Sequence, residues 1–525
     1  MDPIKVGKFT LESLTTGMYA DPRIIFREYI QNATDAIDRA IKENITKNEE
    51  GRIDITINKQ DRRISIKDNG SGIHTDKVWQ LLGDIGNSQK RFEENRGFRG
   101  IGRLGGLSYA SELQFITSAK DEGIRTIVYW DCKKLRELIQ PGKYMDYDLA
   151  KVMDEISFMT TEKEADEKHY FEVILDGIDE KYSELLDLSD IEDYLSQVAP
   201  VPFNAQRFPY YADSKEGIES FLKTINKPLE EYNIYLNGNP NPVYKPYKTW
   251  FHVDKKKDDI KGIEFFKAFH SSEILFWGWY AKTNWLGTVE DENIKGLRVR
   301  KNNILIGDRN TLDDFFTETR FNGWIIGEVY VYDSNIIPNA RRDNFEKNEA
   351  YKIFRNELEK ITRNELSKIP KKYSKERTER KDIEKAEEVL YKAEQTLEKG
   401  ITSEVQRKEL FEKIDFLKPK IKPKEAKKEI NSESNYIEEI ARKKEKIYTK
   451  LIEIESKIID ADIYRVKDIP SSYPKDVRKV VSLIFEVIDS TLLKEDAEKL
   501  IDNIIEALQK KPKDSNKNEQ KNFIN

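Results

Sequence analysis

The chain has 525 residues, with 90 Lys or Arg against 96 Asp or Glu, a net charge of −6, 38% hydrophobic and 35% charged residues. That length allows about three domains of roughly 150 residues, and the charge excess points to long solvated helices, while the acidic balance excludes a chain-wide basic surface for nucleic acid and leaves room only for a local one. A single cysteine, Cys132, excludes an internal disulfide and fits a reducing compartment; with no signal-like N-terminus and no run of about 18 apolar residues, a cytoplasmic protein is expected.

Residues 1–178 alternate helix and strand signals and read as a first domain. Pro22 to Asn44 carries Ile25, Ile30, Ala33, Ala36, Ile37 and Ala40 at helical spacing. Asp21 then Pro22 reads as an N-cap and a first-turn proline. Arg52–Asn58 and Arg63–Lys67 alternate apolar and polar residues, as in a hairpin with one buried face. A turn at DNGSGI and a short helix at Asp76–Leu82 follow. A glycine-rich stretch then runs from Gly83 to Gly106, and strands are expected at Glu112–Ser118, Arg125–Trp130 and His169–Leu175.

Residues 179–370 mix strands and helices around aromatic-rich segments such as Glu273–Trp285 and read as a second domain. From 371 to 525 the chain is helical. Ile437, Ile440, Ile447, Leu451, Ile454 and Ile458 recur as in an amphipathic or coiled-coil helix. Leu417–Lys428, with two prolines and six lysines, reads as a helix-breaking linker. Its lysines (Lys418, Lys420, Lys422, Lys424, Lys427, Lys428) read either as solvated or as contacts for phosphates. Helices at Lys475–Ile488 and Lys494–Lys510 precede a polar tail expected to be disordered. The four histidines show no metal-ligand spacing.

Three patches carry chemistry. In REYIQNATDAID (Arg27–Asp38), Glu28, Asn32 and Asp35 stand at i, i+4 and i+7, on one helix face. A polar acidic row there suits a magnesium triphosphate: an amide oxygen can ligate Mg²⁺, and a carboxylate can deprotonate water. The second patch, Asp68-Asn69-Gly70-Ser71-Gly72-Ile73, follows a strand. A buried carboxylate there could accept from the adenine amino group and reject the oxo group of guanine. The third, RGFRGIGRLGG (Arg96–Gly106), contains Gly97, Arg99, Gly100, Ile101 and Gly102. Glycines leading into a helix expose N–H groups to phosphates. Neither a P-loop nor a Rossmann fingerprint is present.

Together these patches resemble the gyrase, chaperone, histidine-kinase and MutL-type (GHKL) ATPases. The segment IFREYIQNATDA (Ile25–Ala36) is similar to the ninety-kilodalton heat-shock chaperones, HtpG among them, and GFRG (Gly97–Gly100) is shared with HtpG and MutL. The resemblance implies an α+β protein: a Bergerat α/β sandwich over 1–178, a ribosomal-protein-like transducer domain over 179–370 and a helical C-terminal region. It implies ATP and Mg²⁺ as bound groups, Glu28 as the base, Asn32 as the metal ligand and Asp68 as the adenine contact. Asp35, Gly70, Gly72, Ile73 and Thr117 would line the nucleotide. Gly83–Arg99 would form a lid, with Lys90 facing either a phosphate or solvent. In IIPNARRDNFE (Ile336–Glu346), Asn339 and Arg342 match by spacing the family's γ-phosphate loop, with Arg341 the rival.

The likeness ends near residue 370. The leading expectation is an ATP-gated, dimeric switch that remodels or recruits a protein partner without a membrane. The alternative is a MutL- or microrchidia-like nucleic-acid clamp, placed by its architecture in prokaryotic antiviral defence.

Overall fold

The computed structural model describes residues 6–11, 21–47, 50–83, 102–212, 216–401, 404–423, 434–461 and 473–510, and divides between Lys371 and Lys372 into two compact units. Among the described residues no helix is long and apolar enough to cross a membrane.

In the first unit, helix α1 (Ile24–Lys42) starts two residues later than the sequence predicts, because Asp21 accepts from the Arg23 N–H at 2.9 Å in a turn before it. Its apolar stripe (Phe26, Ile30, Ala33, Ile37) is buried. Strands β1 (Arg52–Asn58) and β2 (Arg63–Asp68) pair antiparallel, with Ile55 opposite Ile66 and the expected face buried. Helix α2 (Thr75–Gly83), strands β3 (Glu112–Ser118) and β4 (Ile124–Asp131), helices α3 (Cys132–Leu138) and α4 (Leu149–Ile156), and strands β5 (Ser157–Lys163) and β6 (Tyr170–Asp176) follow. The sequence reading omits α3 and α4, although Asp131 and Asp148 cap them through the N–H groups of Lys134 and Lys151. It also omits β5, an edge strand almost wholly exposed, which has no buried face to impose alternation.

Helices α5 (Leu188–Val198) and α6 (Ile218–Ile225) lead to β7 (Asn233–Leu236), which lies parallel to β1. The seven-stranded sheet runs β5-β4-β3-β6-β2-β1-β7, so it extends past residue 178 and takes its last strand from the next segment.

Strands β8 (Trp250–Val253) and β9 (Lys256–Asp259) form a separate hairpin. A second sheet runs β10-β11-β14-β12-β13, from β10 (Gly262–His270), β11 (Glu273–Lys282), β12 (Gly296–Lys301), β13 (Ile304–Leu305) and β14 (Ile326–Val331), with β12 and β14 parallel. Its core is aromatic, with Phe203, Phe208, Tyr247, Trp277 and Trp279. Glu328 on β14 is fully buried between Arg300 and Lys245. Although burial alone would raise it, these two cations bring the Glu328 carboxyl down to about 2. Arg300 also donates to the Gln197 carbonyl at the C-terminal end of α5. At the other end of α5, Asp190 pairs with Arg23 before α1 at 2.9 Å. The strap α5 therefore joins the first helix to the second sheet. Helix α7 (Glu349–Ile361) follows, capped by Asn348.

The second unit holds all but the first four residues of α8 (Lys368–Lys399), with α9 (Glu404–Ile421) and α10 (Ser434–Ile459), and their core includes Ile383, Leu390, Ile414, Leu451 and Ile458. Of the periodic stripe of α10, Ile447, Leu451, Ile454 and Ile458 are thus buried within their own unit, and Ile440 is half-buried. The expected linker begins later than predicted: α9 runs through Pro419, because Leu417 and Ile421 on either side are buried at 4% and 0% exposure. Lys418 pairs with Glu455 at 2.6 Å, and Lys420 lies 3.8 Å from the Phe416 ring centroid. Lys424, Lys427, Lys428 and the polar tail lie outside the described residues. Helices α11 (Lys475–Thr491) and α12 (Lys494–Lys510) pack around Phe485, while Val480, Ile484 and Val487 on α11 are exposed at 56%, 47% and 62%.

Candidate nucleotide-binding and hydrolytic site

On α1, Glu28 and Asp35 are buried and Asn32 is half-buried, with all three on one face as their spacing requires. A 3-10 helix (Gly102–Ser108) lies against this face, held by Tyr29, whose hydroxyl accepts from the Gly106 N–H at 3.0 Å and donates to the Arg103 carbonyl at 3.2 Å. A Cβ at Gly102 would fall 2.4 Å from Glu28 Oε2, so any larger residue there would displace that carboxylate.

Asp68 ends β2 and is buried at 4% exposure. Its Oδ1 accepts from the Gly70 N–H at 2.8 Å. The turn is seated on α1 by the Ser71 N–H, which donates to the Ala36 carbonyl at 3.1 Å. His169 Nδ1 stands 2.9 Å from the Gly70 carbonyl, an oxygen that can only accept, so this nitrogen carries the proton. Gly72 has φ +65°, and a Cβ there would meet the Ser118 carbonyl at 1.9 Å, so no other residue fits. The Ile73 N–H donates to Thr117 Oγ1 at 2.9 Å, and that hydroxyl donates to the Tyr170 carbonyl at 3.0 Å. Thr117 thus keeps one lone pair and no proton for a guest.

Burial pushes the Asp68 carboxyl up to about 7 from 3.8, against the lowering effect of the Gly70 and Phe171 N–H groups. The native state therefore holds this proton to higher pH than the unfolded chain does. Stability from this group is present below about pH 4 and is lost as pH rises towards about 7. Unfolding free energies from denaturant titrations between pH 4 and 8 should fall through that window by roughly 1.4 kcal/mol per pH unit at most. In Asp68→Asn that slope should flatten; an unchanged slope assigns it to another group.

The arginine loop belongs to the second half of the same unit. Pro338 bridges to Phe345, and the Asn339 N–H donates to the Asn344 carbonyl at 2.9 Å. Arg342 adopts φ +56°, and its carbonyl accepts from the Gly307 N–H at 2.7 Å. Its Nε lies 3.1 Å from Glu28 Oε1, close enough for an ion pair but not aligned as a hydrogen bond. Arg341 is exposed, and its carbonyl accepts from Arg27 Nη2 at 3.0 Å. The structure therefore places Arg342, not Arg341, against Glu28. The Asn339 side chain donates to Asp343 at 2.6 Å within its own loop and is not brought to Glu28.

Lys90, Gly97, Arg99, Gly100 and Ile101, with nearly all of the expected lid, lie outside the described residues. Sequence reasoning missed Arg27, Gln31 and His169. Gln31 is 1% exposed, and both its amide atoms, together with Glu28 Oε1, are buried without a hydrogen-bond partner among the described residues. Buried polar atoms in native proteins are nearly always paired, so this group suits a polar guest. The side-chain oxygen of Asn32, half-buried on the same face, is of the kind that suits a hard cation such as Mg²⁺.

Residues 22–161 match the family described as histidine kinase-, DNA gyrase B-, and HSP90-like ATPase. The chain is 24% identical over 256 residues to the chaperone protein HtpG of Fusobacterium nucleatum, covering 44% of this chain and 40% of that one. It is 24% identical over 372 residues to the chaperone protein HtpG of Clostridium botulinum (strain Langeland), covering 66% of this chain and 55% of the relative. A shorter match, 35% over 92 residues, joins it to the chaperone protein HtpG of Sulfurovum sp., covering 16% and 15%. The chain thus spans at most about half the length of these chaperones.

Proposed function

We propose that this chain, which carries a GHKL-type ATPase domain similar to that of HtpG chaperones, hydrolyses ATP and uses the cycle to remodel or recruit a protein partner. The observation that carries the reading is the meeting of Glu28 with Arg342 at 3.1 Å, from elements 314 residues apart in sequence (342 minus 28). An acid beside a buried cation suits attack on a terminal phosphate.

In this reading Asp68 and the Gly70–Ile73 turn would hold adenine, and Asn32 would hold Mg²⁺, whose charge would offset that of the phosphates. Glu28 takes the proton of a water whose oxygen bonds to the γ-phosphorus. The bond to the β–γ bridging oxygen breaks, and its electron pair leaves on ADP. Arg342 turns from the Glu28 carboxylate to the γ-phosphate and frees the base. The exposed apolar face of α11 supports a second copy of the chain as one partner.

The test is phosphate release from Mg-ATP by the pure protein, alone, with duplex DNA and with a denatured client. Turnover that rises with the client is expected. Turnover and retention that depend on DNA and fall with salt would favour the nucleic-acid clamp; no phosphate release under any condition would end the ATPase reading.

A further inference from the structure

We infer that Gln31 orients the attacking water beside Glu28, an inference that rests on the reading of Glu28 as the base. Three observations carry it. The first is position. At 3.6 residues per turn, Gln31 stands about 60° around α1 from Glu28, and Arg27 about 100° in the same sense, while Asn32 lies about 40° the other way. Gln31 is therefore on the arginine side of the carboxylate, opposite the expected metal ligand. The apolar stripe of Phe26, Ile30, Ala33 and Ile37 occupies the far side of the helix.

The second is burial. A residue on the polar side of an amphipathic helix is normally wet. Gln31 is instead 1% exposed. The same side carries Arg27, which holds the Arg341 carbonyl at 3.0 Å, and Glu28, which faces Arg342 at 3.1 Å.

The third is chemistry. Gln31 Nε2 and Oε1 and Glu28 Oε1 are all buried without hydrogen-bond partners among the described residues. Side chains at i and i+3 are neighbours on a helix. An amide donor, an amide acceptor and a carboxylate acceptor together match one lone pair and both protons of a water, and leave its second lone pair for the phosphorus. In the hydrolytic step Gln31 moves no proton; it holds the water while Glu28 receives the proton and the water oxygen bonds to phosphorus.

Gln31→Met keeps length and volume but removes both polar atoms. It is expected to lower kcat by about 10- to 100-fold, the range for a misplaced reactant, with KM for ATP and affinity for ADP unchanged. Affinity for ADP–aluminium fluoride, which mimics the transferring phosphoryl group and its water, should fall in parallel. The melting temperature should hold or rise, because an unpaired buried amide is removed. Gln31→Ala should lose the same kcat. Wild-type kcat in Gln31→Met while Glu28→Ala loses turnover overturns this inference alone. Lost kcat with an equal loss of ADP affinity and a lower melting temperature overturns it too, since that is the mark of packing. Wild-type turnover in Glu28→Ala overturns the base reading beneath it.

Discussion

Glu28→Ala is expected to lower ATP turnover by about 10²- to 10⁴-fold, the usual worth of a positioned general base, while nucleotide affinity stays within about twofold. The expectation comes from the site: Glu28 is 7% exposed, lies against Gly102 on one side and meets Arg342 on the other. Adenine would be held by Asp68, on a separate element, so binding and turnover should come apart. Phosphate release and calorimetric binding of a non-hydrolysable analogue read the two quantities. Equal loss of both would move Glu28 from chemistry to nucleotide binding, and wild-type turnover would remove it from the reaction.

Arg342→Ala should cost about 10²- to 10³-fold in kcat, as loss of a preorganised charge at the reacting phosphate does, with ADP affinity unchanged because ADP lacks the γ-phosphate. Arg342→Lys should recover only part, since an ammonium is a point charge without the planar fork. Arg341→Ala is the control: its side chain is exposed, and only its backbone carbonyl is used, by Arg27. A fall in Arg341→Ala as deep as in Arg342→Ala would put the structural choice between them in error.

Much of this architecture is legible in the sequence wherever burial imposes a period. Strands β1 and β2 fall within a residue of their expected bounds because Ile53, Ile55, Ile57, Ile64 and Ile66 all face one core. Glu28, Asn32 and Asp35 are legible as one row because helical spacing is a local property. Strand β5 is silent, since neither of its faces is buried. The pairing of Arg342 with Glu28 depends on a loop turned back by the Gly307–Arg342 hydrogen bond, which no periodicity encodes. Gln31 is hidden for another reason: a polar residue on the polar side of a helix reads as solvated, and only its burial in three dimensions distinguishes it.

The parallel pairing of β7 with β1 has a practical consequence for dissecting the molecule. A fragment cut at residue 161 or 178 would strip Asn233–Leu236 from the sheet and leave the backbone groups of Arg52–Ile55 unmatched along a raw margin. Such a margin templates association with other chains. A soluble excised nucleotide module would need to continue at least through Leu236, so the smallest self-sufficient piece is longer than the stretch that carries the nucleotide motifs.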